Sequence, residues 1–176
     1  MGSGSGRVMN LLARTFPNSR FTGYVLSEET IARTHAEAQE HATTNVRVEV
    51  KDAAKLDERA SCDLITTFDA VHEQADAAAV LNGISKTLRS GGVYLMQDIA
   101  GSSHHHNLDH PVGPFLYTVS TMNCTTVSLS QGGEGLGTMW GEEKAKEMLK
   151  EAGFKDVEVK QLPHDFMNNC YISKKS

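Results

Sequence analysis

Short β-rich runs alternate with stretches of helical periodicity through the first hundred residues, and that rhythm admits few folds. Val8, Leu11, Leu12 and Phe16 fall at helical spacing and predict one buried stripe. Asn18-Ser19 breaks this helix ahead of a strand over 20–25. Ser27 is a good N-cap, with Glu28 and Glu29 facing the positive end of the helix dipole and Leu26 and Ile31 at the two positions of a hydrophobic staple. That helix is expected to reach about residue 41. Residues 46–50 alternate apolar and charged side chains, as near a sheet edge, whereas the uncharged run 64–68 predicts a more central strand. Val80, Ile84 and Leu88 form the next helical stripe, stopped by Ser90-Gly91-Gly92 before an interior strand over 93–96. Such alternation predicts an α/β fold with a mainly parallel sheet.

The rhythm changes after Asp98. Residues 100–140 are rich in Gly, Ser, Thr and His, and 113–130 predict a helix of low propensity. Regularity returns over 142–152, where Gly153 and Phe154 stand in the order of a Schellman cap. Strands are expected over 157–161 and, as the last, over 170–172. The chain is expected to be one domain over 1–176, with 100–140 as an insertion.

The net charge of −5 offers no electrostatic footprint for nucleic acid. Cys62, Cys124 and Cys170 are odd in number and lack metal-ligand spacing, so reduced thiols are expected. No apolar run approaches the roughly 18 residues of a membrane span, and no signal-peptide core is evident. A soluble, cytoplasmic domain is the expectation.

Gly2, Gly4 and Gly6 alternate ahead of the first helical stripe. Glycine accepts positive φ and lets a ligand approach the main chain closely, which suits a nucleotide-binding turn. Four further segments follow in order: Gly23-Tyr24-Val25-Leu26-Ser27, Lys51-Asp52-Ala53-Ala54, Phe68-Asp69-Ala70-Val71-His72, and Leu88 to Met96 around Ser90-Gly91-Gly92. Together they resemble the class I S-adenosylmethionine-dependent methyltransferases. The stretch from Asp98 to His104, with Asp109-His110-Pro111 and 132–141, is similar to a subgroup that usually carries an N-terminal winged-helix dimerisation domain.

The resemblance implies a Rossmann-like sheet, mainly parallel with its last strand antiparallel, here lacking its central first strand, so that the chain looks truncated inside that strand. It implies S-adenosyl-L-methionine as cofactor and a small-molecule methyl acceptor, with a homodimer if the N-terminal domain exists. Cofactor contacts would come from Gly2, Gly4, Gly6, Val25, Leu26, Asp52, Ala53, Phe68 and Asp69. Val25 departs from the family pattern, because a ribose-binding carboxylate usually stands there and valine offers no acceptor. Losing such a bond costs about 1.5–3 kcal/mol, or roughly one to two decades in affinity.

His72 follows a strand end, where open α/β sheets place ligands, and is a candidate general base or a hydrogen-bonded wall residue. His104 is a second candidate for assisting deprotonation. Consecutive histidines His104-His105-His106 point in different directions on a regular backbone, so no metal is expected from them. Tyr117, Trp140 and His164 are read as pocket walls. Two functions follow: a small-molecule methyltransferase domain weakened in cofactor binding, or a catalytically inactive remnant serving as an interaction domain. A missing buried strand would forfeit four or five apolar side chains, on the order of 10 kcal/mol. The expected outcome is a chain that alone folds poorly or binds cofactor weakly; cooperative unfolding together with low-micromolar binding of S-adenosylmethionine in calorimetry contradicts it.

Overall fold

A computed structural model describes residues 6–26, 28–40, 43–104 and 107–176. Gly2, Gly4, Ser27, His105 and His106 lie outside the described residues. The chain divides into two compact units, Met1–Lys55 and Leu56–Ser176.

The first unit contains α1 (Arg7–Thr15), β1 (Phe21–Val25), α2 (Glu28–Glu40) and β2 (Val46–Val50), then a 3-10 turn, Ala53–Lys55. β1 and β2 pair in parallel with Val25 opposite Val50. Asn45 organises the corner, its side-chain amide donating to the carbonyls of Ala13 at 3.1 Å and Ser19 at 2.9 Å. The first bond satisfies a backbone acceptor that the end of α1 leaves open, and the second ties in the turn before β1.

The stripe predicted on α1 is not the face that packs. Met9 and Ala13 are buried, and Met9 joins Val25 and Val48 in a small core with Phe21, Ile31 and Val46 against it. Val8, Leu11 and Phe16 are instead about half exposed. Helical periodicity identifies apolar faces, and α1 carries two adjacent ones; the sheet decides which is covered.

The second unit holds β3 (Cys62–Phe68), α3 (Ala77–Thr87), β4 (Leu88–Ile99), α4 (Gly113–Val119), a π turn (Ser120–Cys124), α5 (Thr125–Ser130), α6 (Glu142–Glu151), β5 (Val157–Leu162) and β6 (Asp165–Lys174). Its four strands lie in the order β3-β4-β6-β5. β3 and β4 are parallel, and β6 runs antiparallel to both β4 and β5. The α/β architecture with an antiparallel last strand is therefore as the sequence predicts.

β4 is central, and its inward side chains Tyr94, Met96 and Asp98 lose all solvent contact. Tyr94 stacks obliquely on Phe154 at 5.7 Å and shares a 2.8 Å hydrogen bond with Thr67. Leu88 belongs to β4 rather than to the preceding helix, since its backbone is already extended. The uncharged run 64–68 predicts a flanked strand, but β3 pairs with β4 alone among the described residues and leaves Leu64 half exposed. The Schellman cap forms as expected, with Gly153 N–H donating to Lys150 and Phe154 N–H to Leu149. No helix among the described residues is long and apolar enough to cross a membrane.

Val25 is 6 % exposed inside the first unit's core. An aspartate there would put a carboxylate among apolar side chains without a donor, a cost of several kcal/mol unless it protonates. Val25→Asp should therefore lower the midpoint of thermal unfolding, most at alkaline pH. An unchanged midpoint by circular dichroism would mean that the strand end is open to a polar group.

Candidate active site

Strand β4 ends in a buried carboxylate, and the site is built around it. Asp98 Oδ1 accepts three hydrogen bonds: from the His72 ring at Nδ1, 2.6 Å away, from Trp140 Nε1 at 3.1 Å, and from the Ile99 amide at 2.9 Å. Its Oδ2 is buried with no hydrogen-bond partner among the described residues. His72 is 2 % exposed, on the turn that follows β3. Because β3 and β4 are parallel, the turn after one and the last residues of the other meet at one edge, where open α/β sheets hold ligands.

Asp69 opens that turn in the left-handed region, with φ 45°. Its amide donates to the Gln97 carbonyl at 3.0 Å, so pairing with β4 extends one residue beyond β3 before the chain bends. Partial burial, then the carboxylates of Asp98, Asp165 and Glu73, push the Asp69 carboxyl up to about 6, with His72 opposing them. For His72, burial alone would lower the imidazole. The hydrogen bond and charge of Asp98, aided by Glu73 and Asp69, outweigh burial and hold its pKa above the usual value. The folded state therefore gains stability from this pair below the ordinary histidine pKa and loses it as pH rises through the raised value.

Residues 131–141 form the far wall. Gly137 donates its amide to the His72 carbonyl at 3.3 Å, and Thr138 bonds to Ser120 and Leu116 at 3.0 Å each. A Cβ on Gly137 would stand 2.3 Å from Ser120 Oγ, so this crossing requires glycine. Trp140 is pinned through its carbonyl, which accepts from Ser103 Oγ at 2.7 Å. Ser103 and Ser102 also donate to Glu143 on the first turn of α6, and the Ser103 amide leads in holding that carboxyl down to about 2.

The predicted residues separate by unit. Gly6 is buried at the start of α1 with φ 82° and no side-chain cap, and no acid follows in the first turn. Val25 is core, Leu26 is 64 % exposed and Ala53 half-buried. Asp52 accepts from the Ala54 amide at 3.0 Å and pairs with Lys55 at 3.2 Å. In the second unit Phe68 is half-buried at the end of β3, and His104 is exposed beside Glu143. The residues that meet at His72 include two that sequence reading gave no role in chemistry. Asp98 carried a usable signal, a lone charge ending an apolar strand. Trp140, read as a wall, had none that separated a hydrogen-bond donor from a packing residue.

Asp98→Asn removes the charge that outweighs burial. The His72 titration followed by its ring proton resonances should move to lower pH; an unmoved midpoint would mean that Asp98 does not set this imidazole.

Residues 1–153 match the methyltransferase-domain family. No curated protein sequence matches the chain significantly. Among solved structures, a candidate O-methyltransferase from Nostoc punctiforme superimposes with a TM-score of 0.78 at 16 % identity, covering 98 % of this chain and 50 % of its own. PigF, solved with SAH, gives 0.75 at 16 % identity, with 99 % and 49 % covered. The [4+2]-cyclase SpnF gives 0.71 at 16 % identity, with 98 % and 72 % covered. The chain thus spans about half the length of the first two structures and shares the fold of all three. Matched over residues 1–153, this α/β chain with its antiparallel last strand belongs to the methyltransferase-domain family.

Proposed function

We propose that the chain binds S-adenosyl-L-methionine and methylates a small molecule through an ionisable O–H or N–H, with His72 as general base. The observation that carries this reading is the buried His72–Asp98 pair at the carboxyl ends of β3 and β4. The cofactor supplies a methyl group already activated on a sulfonium, so the protein's work is alignment, proton removal and exclusion of water. PigF, solved with SAH, and the family match support the choice of cofactor.

The residues present fit that cofactor in part. The Gly6 turn and the uncapped start of α1 leave amide donors for a carboxylate end. Each Asp52 oxygen keeps a lone pair beyond its present bond and would accept from an adenine amine, beside Leu26 and Ala53. Val25 does not fit, since its side chain is core and no ribose acceptor stands there. Cofactor affinity is accordingly reduced by roughly one to two decades relative to a site with that carboxylate.

His72 donates through Nδ1 to Asp98, which leaves Nε2 to take the proton of the acceptor. Asp98 stabilises the resulting imidazolium, and Trp140 holds Asp98 in place. The acceptor would lie between this pair and residues 113–140, with His104 at the margin. The negative net charge gives no support to a nucleic-acid acceptor.

A second reading, an inactive relative of the same fold, is favoured by Val25 alone. That SpnF is a cyclase illustrates that the fold does not by itself fix the reaction. One experiment separates the two. His72→Gln should cut the rate of methyl transfer to a panel of hydroxylated small molecules by about 10²–10⁴ while calorimetric cofactor binding is unchanged. For the unaltered protein the rate should rise with pH through the raised His72 value, because only the neutral ring accepts a proton. A protein that neither binds cofactor nor yields methylated product with any acceptor is the remnant.

A further inference from the structure

Cys124 closes the π turn Ser120–Cys124, between α4 and α5, within one continuous helical segment. A π turn adds a residue to the hydrogen-bonded ring and so rotates everything after it relative to an uninterrupted α-helix, a device frequent at functional sites. Here it sets the Cys124 thiol inward, 4 % exposed, against Glu73. A ligand atom each from His72, Glu73 and Cys124 lies within 4.8 Å of the others. Asn123 braces the arrangement, donating to Glu73 Oε1 at 3.2 Å.

We propose that His72, Glu73 and Cys124 form a binding site for a soft divalent cation of the Zn²⁺ type. With Nδ1 engaged by Asp98, Nε2 is the nitrogen left to ligate, in the carboxylate–histidine–metal arrangement that orients zinc ligands. One nitrogen, one carboxylate oxygen and one sulfur match the donors zinc takes and leave a fourth tetrahedral position open. Thiolate among the donors selects against Mg²⁺ and Ca²⁺. Tetrahedral ligands at zinc distances stand roughly 3.3–3.8 Å apart, so the three atoms need to draw in by no more than about 1.5 Å.

Ligation is written Cys–SH + M²⁺ → Cys–S–M⁺ + H⁺: the S–H bond breaks, the S–M bond forms, and the proton passes to the buffer. The metal takes the thiolate, so ligation of a protonated thiol releases its proton. Occupancy also takes the Nε2 lone pair. Zn²⁺ should then inhibit methyl transfer, a consequence that rests on the reading of His72 as the base.

The test uses the whole chain without cofactor. Co²⁺ added to the reduced protein should produce a near-ultraviolet thiolate-to-cobalt charge-transfer band, displaced by Zn²⁺ and accompanied by proton release in calorimetry. Cys124→Ser should abolish the band, Glu73→Gln should weaken Zn²⁺ binding at least about tenfold, and Asp98→Asn, acting through His72, by roughly 10–100-fold. Circular dichroism of each variant separates loss of the site from loss of the fold. Absence of the band in the unaltered protein, or its persistence in folded Cys124→Ser, overturns the proposal. Neither result depends on methyl transfer, so the site and the catalytic reading fail separately.

Discussion

A carboxylate cut off from water must be surrounded by donors, and the architecture of the second unit follows from how Asp98 meets that requirement. Three donors converge on one oxygen, and they come from β4 itself, from the turn after β3 and from the segment before α6. Each bond to the charged oxygen contributes about 1.5–3 kcal/mol, while leaving the charge unmet would cost several kcal/mol. The carboxylate thereby constrains three chain segments that share no sequence neighbourhood. It also sets the chemistry, because its hydrogen bond and charge hold the imidazole pKa above the ordinary value against the pull of burial.

Around that centre the chain spends its conformational exceptions. Asp69 turns left-handed directly after β3, Gly137 crosses Ser120 with no room for a Cβ, and a π turn interrupts the helix facing His72. Unusual backbone clusters where side chains must be aimed rather than merely packed. Acids gather there as well. Burial, together with the neighbouring charge of Asp98, raises the Asp69 carboxyl, while the hydrogen bond and charge of Asp98, with Glu73 and Asp69, keep the His72 ring charged further up the pH scale than burial would allow.

Much of the fold was legible because period-2 and period-3.6 patterns are local. Helices and strands fell close to their expected places, including the Schellman cap at Gly153 and the antiparallel final strand. What misled was the question of which face is covered. Val8, Leu11 and Phe16 have the spacing of a buried stripe, yet Met9 and Ala13 make the contact, since periodicity states that a face is apolar but not what lies opposite. Leu88 shows the same limit at a boundary: it is buried either way, and only the hydrogen bonds assign it to a strand. At the candidate site, His72 could be singled out from its position after a strand, whereas Asp98 and Trp140 are 26 and 42 residues from what they touch.

The sequence by itself determined the order of helices and strands, the acidic balance and the absence of a side-chain acceptor at Val25, because each depends on residue type and near neighbours. Tertiary structure alone decided that Val25 is core, that Asp98 holds His72 and Trp140, and that Cys124 faces Glu73. The physical reason is the same in each case. Burial and hydrogen-bond partnership are properties of segments brought together in space, and a chain read in order carries no measure of them.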